Sequence, residues 1–355
     1  MKTLRDANIN GKNVLVRVDY NVPMNGGKIE SDLRIRASMP TIKYLVENGA
    51  RKIVLISHLG RPEGKVVPEF SLAPVAIELS KVLKDAGINR RVRFTSEIVG
   101  DNVRHIVDAA DDGDIVLLEN LRFDPREEEN SKEFAEEIVN ANGAEVFVQD
   151  GFAVIHRAHT STSAICDLLP SFAGFLVENE VNTLRSATEN PEHPVLVIIG
   201  GAKVDDKKPL IEKFLPIADS IVVAGKIAAD GYTPESEKIY VAEDFAMDET
   251  GAKLDIGEVS VAKIVERVNE SKTIVWNGTV GLTEKAPFDN GSRAIAEAIG
   301  RKTDATTIIC GGDTTGFVEG IQKENPELKY SLVSTGGGAS LELLSGLELP
   351  GLLAL

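Results

Sequence analysis

Apolar, β-branched stretches of strand length recur along the whole chain, separated by amphipathic stretches of helical length. Buried strands of a parallel sheet are covered on both faces, so they appear as continuous apolar runs. Ten such runs predict strands at VLVRVD (14–19), KIVLIS (52–57), DIVLLE (114–119), EVFVQD (145–150), VLVIIG (195–200), SIVVAG (220–225), KIYVA (238–242), TIVWNG (273–278), TTIICGG (306–312) and SLVST (331–335). The alternation with helices predicts βαβ units.

The helical stretches carry their own start and stop signals. Residues 131–144 open on Ser131, a favourable N-cap residue, and residues 35–50 end on a glycine-containing stop signal. The chain of 355 residues exceeds what one hydrophobic core usually serves. We therefore predict an α/β protein with two doubly wound parallel-sheet (Rossmann-like) domains joined by a helical hinge.

The boundary is expected before the fifth strand, where a helical stretch leads into a proline-containing loop. The predicted divisions are an N-terminal domain (1–175), a hinge helix and linker (176–194), a C-terminal domain (195–340) and a tail (341–355) returning to the N-terminal domain. No short-period repeat is present, so a solenoid is excluded.

Charge narrows the classes of partner. Lys and Arg number 39 against 55 Asp and Glu, a net charge of −16, so nucleic acid and anionic membranes are disfavoured as partners. The first residues lack the apolar core of a signal peptide, and two cysteines make no disulfide framework. We expect a cytoplasmic protein in which any local concentration of Arg and His serves a small anionic ligand.

Polar and cationic side chains follow the first four predicted strands. Ligands of open parallel sheets bind beyond the carboxyl ends of the strands, where guanidinium and imidazole groups suit carboxylate and phosphate oxygens. The candidates are Asp19, Asn21, Arg34 and Arg36 after the first strand, His58 and Arg61 after the second, Arg122 after the third, and His156, Arg157 and His159 after the fourth. Any one arginine is more often paired with a surface glutamate. Agreement among four strand ends favours a shared anion-binding pocket.

Glycines follow the strands of the second half. Three clusters lie at 200–201, 311–312 and 336–338, with Lys203, Lys207 and Asp313 close by in sequence. Glycine-rich turns at helix N-termini let backbone N–H groups approach phosphate, and a neighbouring aspartate suits Mg²⁺. A purely structural turn explains any one cluster equally well. Three clusters at strand ends favour a phosphate-rich ligand.

Standard nucleotide fingerprints are absent. GRPEGKV (60–66) is one residue short of a P-loop and lacks its Ser or Thr, and GGGASL (336–341) has Leu341 where the dinucleotide pattern requires glycine. A dinucleotide-dependent dehydrogenase is therefore disfavoured.

Eight ordered segments resemble one family over essentially the whole chain, the phosphoglycerate kinases. They are RVDYNVP (17–23), SHLGRP (57–62), LLENLRFDPREEE (117–129), DGFAVIHRAH (150–159), GGAKVDDK (200–207), IVWNG (274–278), GGDT (311–314) and STGGGASLELL (334–344). The resemblance implies a hinge-bending, Mg²⁺-dependent kinase that transfers phosphate between 1,3-bisphosphoglycerate and ADP. It implies a glycerate-binding N-terminal domain, a nucleotide-binding C-terminal domain and a monomer.

The resemblance also implies roles for individual residues. The implied 3-phosphoglycerate ligands are Asp19, Asn21, Arg34, His58, Arg61, Arg122, His156 and Arg157. The implied nucleotide ligands are Gly200, Gly201, Lys207, Asn277, Glu284, Gly311, Gly312, Asp313 and Thr314, with Glu284 on the ribose and Asp313 on Mg²⁺. The implied catalytic groups around the transferring phosphoryl group are Arg34, Lys203 and the turn Gly336, Gly337 and Gly338.

The chain departs from the family pattern mainly in the nucleotide half. It is shortened after Asp230, and Lys226 stands at a family glycine. Thr279 replaces a proline, Thr283 replaces a phenylalanine, and Gly151 replaces an alanine. These changes leave open the preferred purine. They also leave an alternative, a ligand-binding or regulatory protein that keeps the glycerate pocket but uses nucleotide poorly.

Overall fold

The computed structural model describes residues 1–355, which divide into two compact units. Unit 1 comprises Met1–Asn179 together with Glu348–Leu355, and unit 2 comprises Glu180–Leu347. Each unit contains one six-stranded sheet whose strand pairs are all parallel. The predicted α/β fold with two parallel sheets is confirmed.

The sheet of unit 1 has the strand order β5-β6-β4-β1-β7-β8, and a two-stranded hairpin, β2-β3, lies outside it. The strands of unit 1 are β1 (Asn13–Arg17), β2 (Met24–Asn25), β3 (Lys28–Ile29), β4 (Lys52–Ile56), β5 (Val92–Phe94), β6 (Ile115–Leu117), β7 (Val146–Gln149) and β8 (Ser171–Ala173). Apolar clusters cover both faces of this sheet. In β1, for example, Val14 and Val16 pack into one cluster and Leu15 packs into the other.

The sheet of unit 2 has the strand order β11-β10-β9-β14-β15-β16, with a hairpin, β12-β13, outside it. The strands of unit 2 are β9 (Val195–Ile199), β10 (Ser220–Val223), β11 (Ile239–Val241), β12 (Phe245–Met247), β13 (Lys253–Ile256), β14 (Thr273–Asn277), β15 (Thr306–Cys310) and β16 (Leu332–Val333). Trp276 is fully buried in the core of this unit.

Helices occupy the connections between strands. They are α1 (Leu33–Ala37), α2 (Met39–Glu47), α3 (Ala73–Asp85), α4 (Asp101–Asp108), α5 (Lys132–Asn142), α6 (Phe175–Glu189), α7 (Lys208–Phe214), α8 (Gly225–Ala229), α9 (Glu258–Glu270), α10 (Asn290–Gly300), α11 (Gly312–Glu324), α12 (Gly338–Leu344) and α13 (Pro350–Leu353). None of them combines the length and the apolar character needed to cross a bilayer.

All ten predicted strands are present, but the sheet edges and one helix differ from the prediction. The three-residue edge strands β5 and β8 are too short to stand out as apolar runs. The single helix expected at 35–50 is two helices, α1 and α2, which meet at Ser38. Pro40 lies in the first turn of α2, where its missing N–H leaves no intrahelical bond unmade.

The end of the chain divides between the units. Helix α12 packs on α7 and groups with unit 2, so residues 341–347 do not belong with unit 1. From Glu348 onward the chain groups with unit 1, where the N–H of Gly351 donates to the carbonyl oxygen of Ile155 at 2.9 Å.

A buried carboxylate holds the first turn of α6, the helix in which the chain passes from unit 1 to unit 2. Asp150 is fully buried, and its Oδ1 accepts a hydrogen bond from the backbone N–H of Leu176 at 2.9 Å. This bond satisfies one of the N–H groups that a helix N-terminus leaves open. Burial raises the pKa of Asp150 from 3.8 to about 7.

We predict that Asp150→Asn flattens the dependence of folding stability on pH. Between about pH 4 and pH 7 the folded wild-type chain keeps a proton that the unfolded chain loses, so wild-type stability falls as pH rises through this range. Asparagine keeps an acceptor for Leu176 but does not ionise, so the variant avoids a loss on the order of 2–4 kcal/mol. Urea unfolding at pH 4, 6 and 8 measures the difference.

The matched control is Asp108→Asn, which alters an exposed aspartate on α4. The control is expected to follow the wild-type curve. Parallel pH curves for Asp150→Asn and wild type would contradict the prediction.

Candidate active site

The predicted anion-binding residues of unit 1 all follow four neighbouring strands. Strands β6, β4, β1 and β7 are adjacent in the sheet, and parallel pairing brings their carboxyl ends to one edge. The residues that follow these ends form the basic cluster, which consists of Arg34, His58, Arg61, Arg122, His156, Arg157 and His159 together with Arg17 at the end of β1.

Two acidic and polar residues after β1 organise one side of the basic cluster. Asp19 is buried and forms an ion pair with Arg34, the second residue of α1. Asn21 is exposed, and its Oδ1 accepts a hydrogen bond from the backbone N–H of Gly60 at 2.9 Å. The loops after β1 and β4 are therefore tied together, as the sequence prediction of a shared pocket requires.

His58 is a buried imidazole surrounded by cationic groups. Only 3% of its surface is exposed, and its Nδ1 lies 3.1 Å from the Nη2 of Arg17. Burial lowers the pKa of His58 well below 6.5, and the charges of Arg17, Arg122 and Arg34 lower it further. His58 is consequently neutral at physiological pH.

Arg122 lies near the two exposed arginines of the basic cluster, Arg61 and Arg157. Its Nη1 donates to the carbonyl oxygen of Gly60 at 2.9 Å, and its Nε lies 3.1 Å from the carboxylate of Glu128. Burial lowers the pKa of Arg122, and the charges of Arg157 and Arg61 contribute to the same shift. Both of these arginines are exposed, so their guanidinium groups are accessible to an anion beside Arg122.

The two histidines after β7 lie beside the same charges. Burial lowers the pKa of His159 to about 4, assisted by Arg122, Arg17, Arg157 and His156. The structure thus brings together the strand-end residues that the sequence assigned to an anionic ligand. It also adds Arg17, which lies within the motif RVDYNVP and was not predicted to have a role.

Unit 2 contains a pocket of about 260 Å³ at the carboxyl ends of its strands. Three residues predicted for the nucleotide line it, namely Gly201, Glu284 and Asp313. The hairpin β12-β13 supplies Phe245, Lys253, Leu254 and Asp255 to its wall. Lys253 lies over the ring of Phe245, with its Nζ 4.5 Å from the ring centroid.

Lys226 also lines this pocket, on the short helix α8. Its Nζ lies 2.7 Å from a carboxylate oxygen of Asp230, one turn further along the chain. The long side chain that replaces the family glycine therefore has its ammonium group engaged by a neighbouring carboxylate.

Close backbone packing explains two of the glycines at the strand ends. A Cβ atom on Gly200 would lie 2.2 Å from the carbonyl oxygen of Thr279, and one on Gly278 would lie 2.4 Å from the carbonyl oxygen of Gly200. Both contacts are impossible for a larger residue. The backbone segments that follow β9 and β14 can lie this close together only because both positions are glycine.

A buried polar chain holds Lys207 near the same strand ends. The Nζ of Lys207 donates to the Oδ1 of Asn277, and the Nδ2 of Asn277 lies 3.2 Å from the Sγ of Cys310. Burial lowers the pKa of Lys207, and the negative charges of Asp206 and Asp313 oppose the shift. Burial raises the pKa of Cys310 to about 11, so the thiol stays protonated.

Three other predicted residues have different surroundings. Asp313 is an exposed carboxylate in the first turn of α11, beside Gly311 and Gly312. Thr314 is buried, and its hydroxyl accepts from the backbone N–H of Gly278 at 2.9 Å, so it holds the pocket wall. Lys203 is exposed in the loop between β9 and α7 and does not line the pocket.

Asp313 is the one predicted Mg²⁺ ligand, and its carboxylate is accessible. No cluster of three or more His, Cys, Asp or Glu side chains suited to a metal ion is present. Mg²⁺ commonly binds one or two carboxylates together with substrate phosphates, so Asp313 fits a site completed by nucleotide.

Glu180, which was not predicted as a site residue, anchors the residues that lead into the turn 336–338. Glu180 is fully buried in α6, and its carboxylate accepts from the Ser334 hydroxyl at 2.6 Å and from the Thr335 backbone N–H at 2.7 Å. The helix pattern around Glu180 gave no sign of this role. The hairpin β12-β13 was missed as well, because strands of three and four residues leave almost no periodicity.

A sequence profile described as phosphoglycerate kinase matches residues 4–233 and 229–347. The chain belongs to the phosphoglycerate kinase family. The kinase class expected from the sequence is thereby confirmed.

Individual relatives match along their full length. The phosphoglycerate kinase of Elusimicrobium minutum is 41% identical over 402 aligned positions, covering 100% of this chain and 98% of that protein. That of Clostridium perfringens is 39% identical over 401 positions with the same coverage.

Two solved phosphoglycerate kinases are similar in structure. The enzyme of Coxiella burnetii has a TM-score of 0.79 and 33% identity, covering 99% of this chain and 98% of that one. The enzyme of Pyrococcus horikoshii OT3 has a TM-score of 0.86 and 29% identity, covering 100% of this chain and 98% of that one.

The matches also locate the shortened segment. The alignment with the Elusimicrobium protein is longer than the 355 residues of this chain, so part of that relative faces a gap. The two profile segments overlap at residues 229–233, which include Asp230, the position after which the chain is predicted to be shortened.

We predict that Gly200→Ala destabilises the folded protein by roughly 2–4 kcal/mol, because the added methyl group meets backbone that cannot move aside cheaply. Urea unfolding without ligand measures the effect. Gly312→Ala is the matched control, since a Cβ there has no neighbour within 4 Å and Gly312 begins helix α11. Equal stabilities for the two variants would contradict this account of Gly200.

Proposed function

We propose that the protein catalyses reversible phosphoryl transfer from 1,3-bisphosphoglycerate to ADP, giving 3-phosphoglycerate and ATP, as in glycolysis and gluconeogenesis. The observation that carries the proposal is the pairing, in one chain of this family, of the basic cluster with the glycine-lined pocket beside Asp313. We propose that it acts in the cytoplasm and as a monomer.

The glycerate ligand is assigned to unit 1. Its phosphate and carboxylate oxygens need several donors in fixed directions, which a set of guanidinium groups supplies. The proposed ligands are Asp19, Asn21, Arg34, His58, Arg61, Arg122, His156 and Arg157. Support comes from the ties between their loops, in which Asn21 holds Gly60 and Arg122 holds the carbonyl of the same residue.

The nucleotide is assigned to the pocket of unit 2. The proposed ligands are Gly200, Gly201, Lys207, Asn277, Glu284, Gly311, Gly312, Asp313 and Thr314, with Glu284 taking the ribose hydroxyls. The geometry supports direct contact for the lining residues Gly201, Glu284 and Asp313. It supports an indirect role for Thr314, whose hydroxyl is engaged by Gly278.

Mg²⁺ is the proposed metal, held by Asp313 and nucleotide phosphates. When bound, it would neutralise charge on the phosphate oxygens of the nucleotide. This chain's own contribution is to orient those phosphates through Lys207 and the backbone N–H groups of Gly311 and Gly312 at the start of α11.

The transfer itself needs no proton. In the direction of ATP use, a carboxylate oxygen of 3-phosphoglycerate attacks the γ-phosphorus, a P–O bond forms, and the bond to the β,γ-bridging oxygen breaks to release ADP. We assign Arg34, Lys203 and the turn Gly336, Gly337 and Gly338 to the charge of the moving phosphoryl group.

Domain closure is part of the same proposal. In-line transfer requires the reacting atoms to approach to about 3–3.5 Å. We assign the two ligands to different units, so both must be brought together, and we propose bending at α6. Closure would also exclude water from the transferring group.

A coupled assay with 3-phosphoglycerate and MgATP, repeated with MgGTP and with excess chelator, tests the proposal. Turnover that the chelator abolishes is expected, and comparison of the purines reports the effect of Lys226, Thr279 and Thr283. Binding of 3-phosphoglycerate by calorimetry without turnover would instead support a ligand-binding or regulatory protein. Those three departures are what favours this second candidate.

We predict that Lys203→Ala lowers kcat by about 10²–10³-fold while changing substrate KM values less, because a donor needed only in the transition state is removed. Steady-state kinetics with both substrates varied measures the split. Lys208→Ala, at the exposed start of α7, is the control and should keep wild-type kcat. Wild-type turnover in Lys203→Ala would overturn its assigned role.

A further inference from the structure

A charged side chain lies buried beneath the proposed glycerate site. Arg17 ends strand β1, whose other residues, Asn13 through Val16, are also buried, and only 1% of its own surface is exposed. Its Nε donates to the Oγ of Ser161 at 2.8 Å, and its Nη1 donates to the carbonyl oxygen of Val18 at 2.5 Å. Its Nη2 lies 3.1 Å from the Nδ1 of His58. Every arm of the guanidinium group is therefore used inside unit 1.

The contact between Arg17 and His58 has only one consistent proton arrangement. A guanidinium group has five donors and no acceptor, so the Nδ1 of His58 must accept the bond with its lone pair. Burial lowers the pKa of Arg17 to about 10, which leaves it charged at neutral pH. The imidazole proton must then sit on Nε2.

The groups around His58 all oppose a second proton on the ring. Arg17 approaches from β1, Arg34 from α1, Arg122 from the turn after β6, and His159 from the loop after β7. The largest causes of the lowered pKa of His58 are burial and these four neighbours. The imidazole is therefore held as a neutral ring, and Arg17 alone decides which nitrogen carries the proton.

Arg17 is itself held by a buried carboxylate. The Oγ of Ser161 accepts from Arg17 and donates to the Oε1 of Glu127 at 2.6 Å, while the backbone N–H of Ser161 donates to the Oε2 at 3.1 Å. Glu127 is 1% exposed, and burial raises its pKa while the charge of Arg17 opposes the rise. The relay Glu127–Ser161–Arg17–His58 thus has a fixed direction at each hydrogen bond.

We propose that Arg17 is a positioning residue that fixes His58 as the neutral tautomer with its proton on Nε2, so that His58 presents a permanent N–H donor to the anionic ligand. The part that concerns the ligand rests on the proposed function, in which His58 contacts 3-phosphoglycerate. Arg17 itself touches no substrate. With the opposite tautomer, His58 would turn a lone pair toward an anion and weaken its binding.

Nitrogen NMR of the full-length, ligand-free protein tests the tautomer directly. Long-range proton–nitrogen correlation spectra of histidine-labelled protein should show, for the ring assigned by its loss in His58→Gln, an unprotonated Nδ1 and a protonated Nε2 both at pH 8 and at pH 6.5. An Nδ1–H ring, or a ring that titrates near pH 6.5, would overturn the proposal. This measurement does not depend on catalysis.

Binding variants test the consequence. Removing Arg17 alone leaves Glu127 buried without its cation, so the variant of choice is the double substitution Arg17→Met with Glu127→Gln. We expect roughly tenfold weaker binding of 3-phosphoglycerate by calorimetry at pH 8. We also expect the nitrogen spectrum of the variant to lose the fixed Nε2–H pattern, because no obligate donor then faces the Nδ1 of His58.

The matched control is Arg104→Met, which removes an exposed arginine of α4 that donates to the carbonyl oxygen of Asn140. It should leave both the His58 spectrum and the affinity unchanged. If the double variant does not fold, the wild-type spectrum alone decides. The two parts of the proposal can fail separately. If the Nε2–H tautomer is fixed but His58→Gln leaves the affinity for 3-phosphoglycerate unchanged, the tautomer assignment stands and the proposed ligand role of His58 is wrong.

Discussion

Parallel pairing in register is the constraint on which both sites depend. In unit 1 Arg17, at the end of β1, is paired with Ile56 of β4 and Gln149 of β7. In unit 2 Asn277, at the end of β14, is paired with Ile199 of β9 and Cys310 of β15. Hydrogen bonding between strands therefore aligns the residues that follow them, although they are far apart in sequence. Each of these side chains alone would say little about a ligand. They form a candidate site because the parallel strands all end at the same edge of the sheet.

The two edges use that constraint with opposite chemistry. Unit 1 gathers large charged side chains, and their mutual repulsion is relieved by Asp19 beside Arg34 and by Glu127 beside Arg17. Unit 2 has glycine at the corresponding positions, so that the backbone segments after β9 and β14 are in contact at Gly200 and Gly278. A chain with a net charge of −16 thus carries a local cluster of cationic side chains on one sheet and closely packed glycine backbone on the other. An anionic substrate and a nucleotide need these two different environments.

Much of the fold and of the candidate site could be predicted because the informative residues follow long apolar runs. His58, Arg122 and Arg157 were found for this reason, and family motifs supported them. Glu180 and Glu127 were not found, because a carboxylate in a helical or polar stretch looks solvent-exposed until tertiary packing buries it. The edge strands β5 and β8 and the hairpin β12-β13 escaped for a related reason. Segments of three or four residues contain too little pattern to separate from a loop.

The sequence by itself determined the ten main strands, the division into two sheets and the polar or glycine residues at the strand ends, since all of these follow from local runs of side-chain type. Only the tertiary structure decided which of these residues have accessible polar groups and which have theirs engaged by a buried neighbour. Thr314 holds Gly278, and Arg17 holds His58, because burial removes water and leaves each polar atom the partners that packing provides. That choice depends on distances between strands, which no local pattern records.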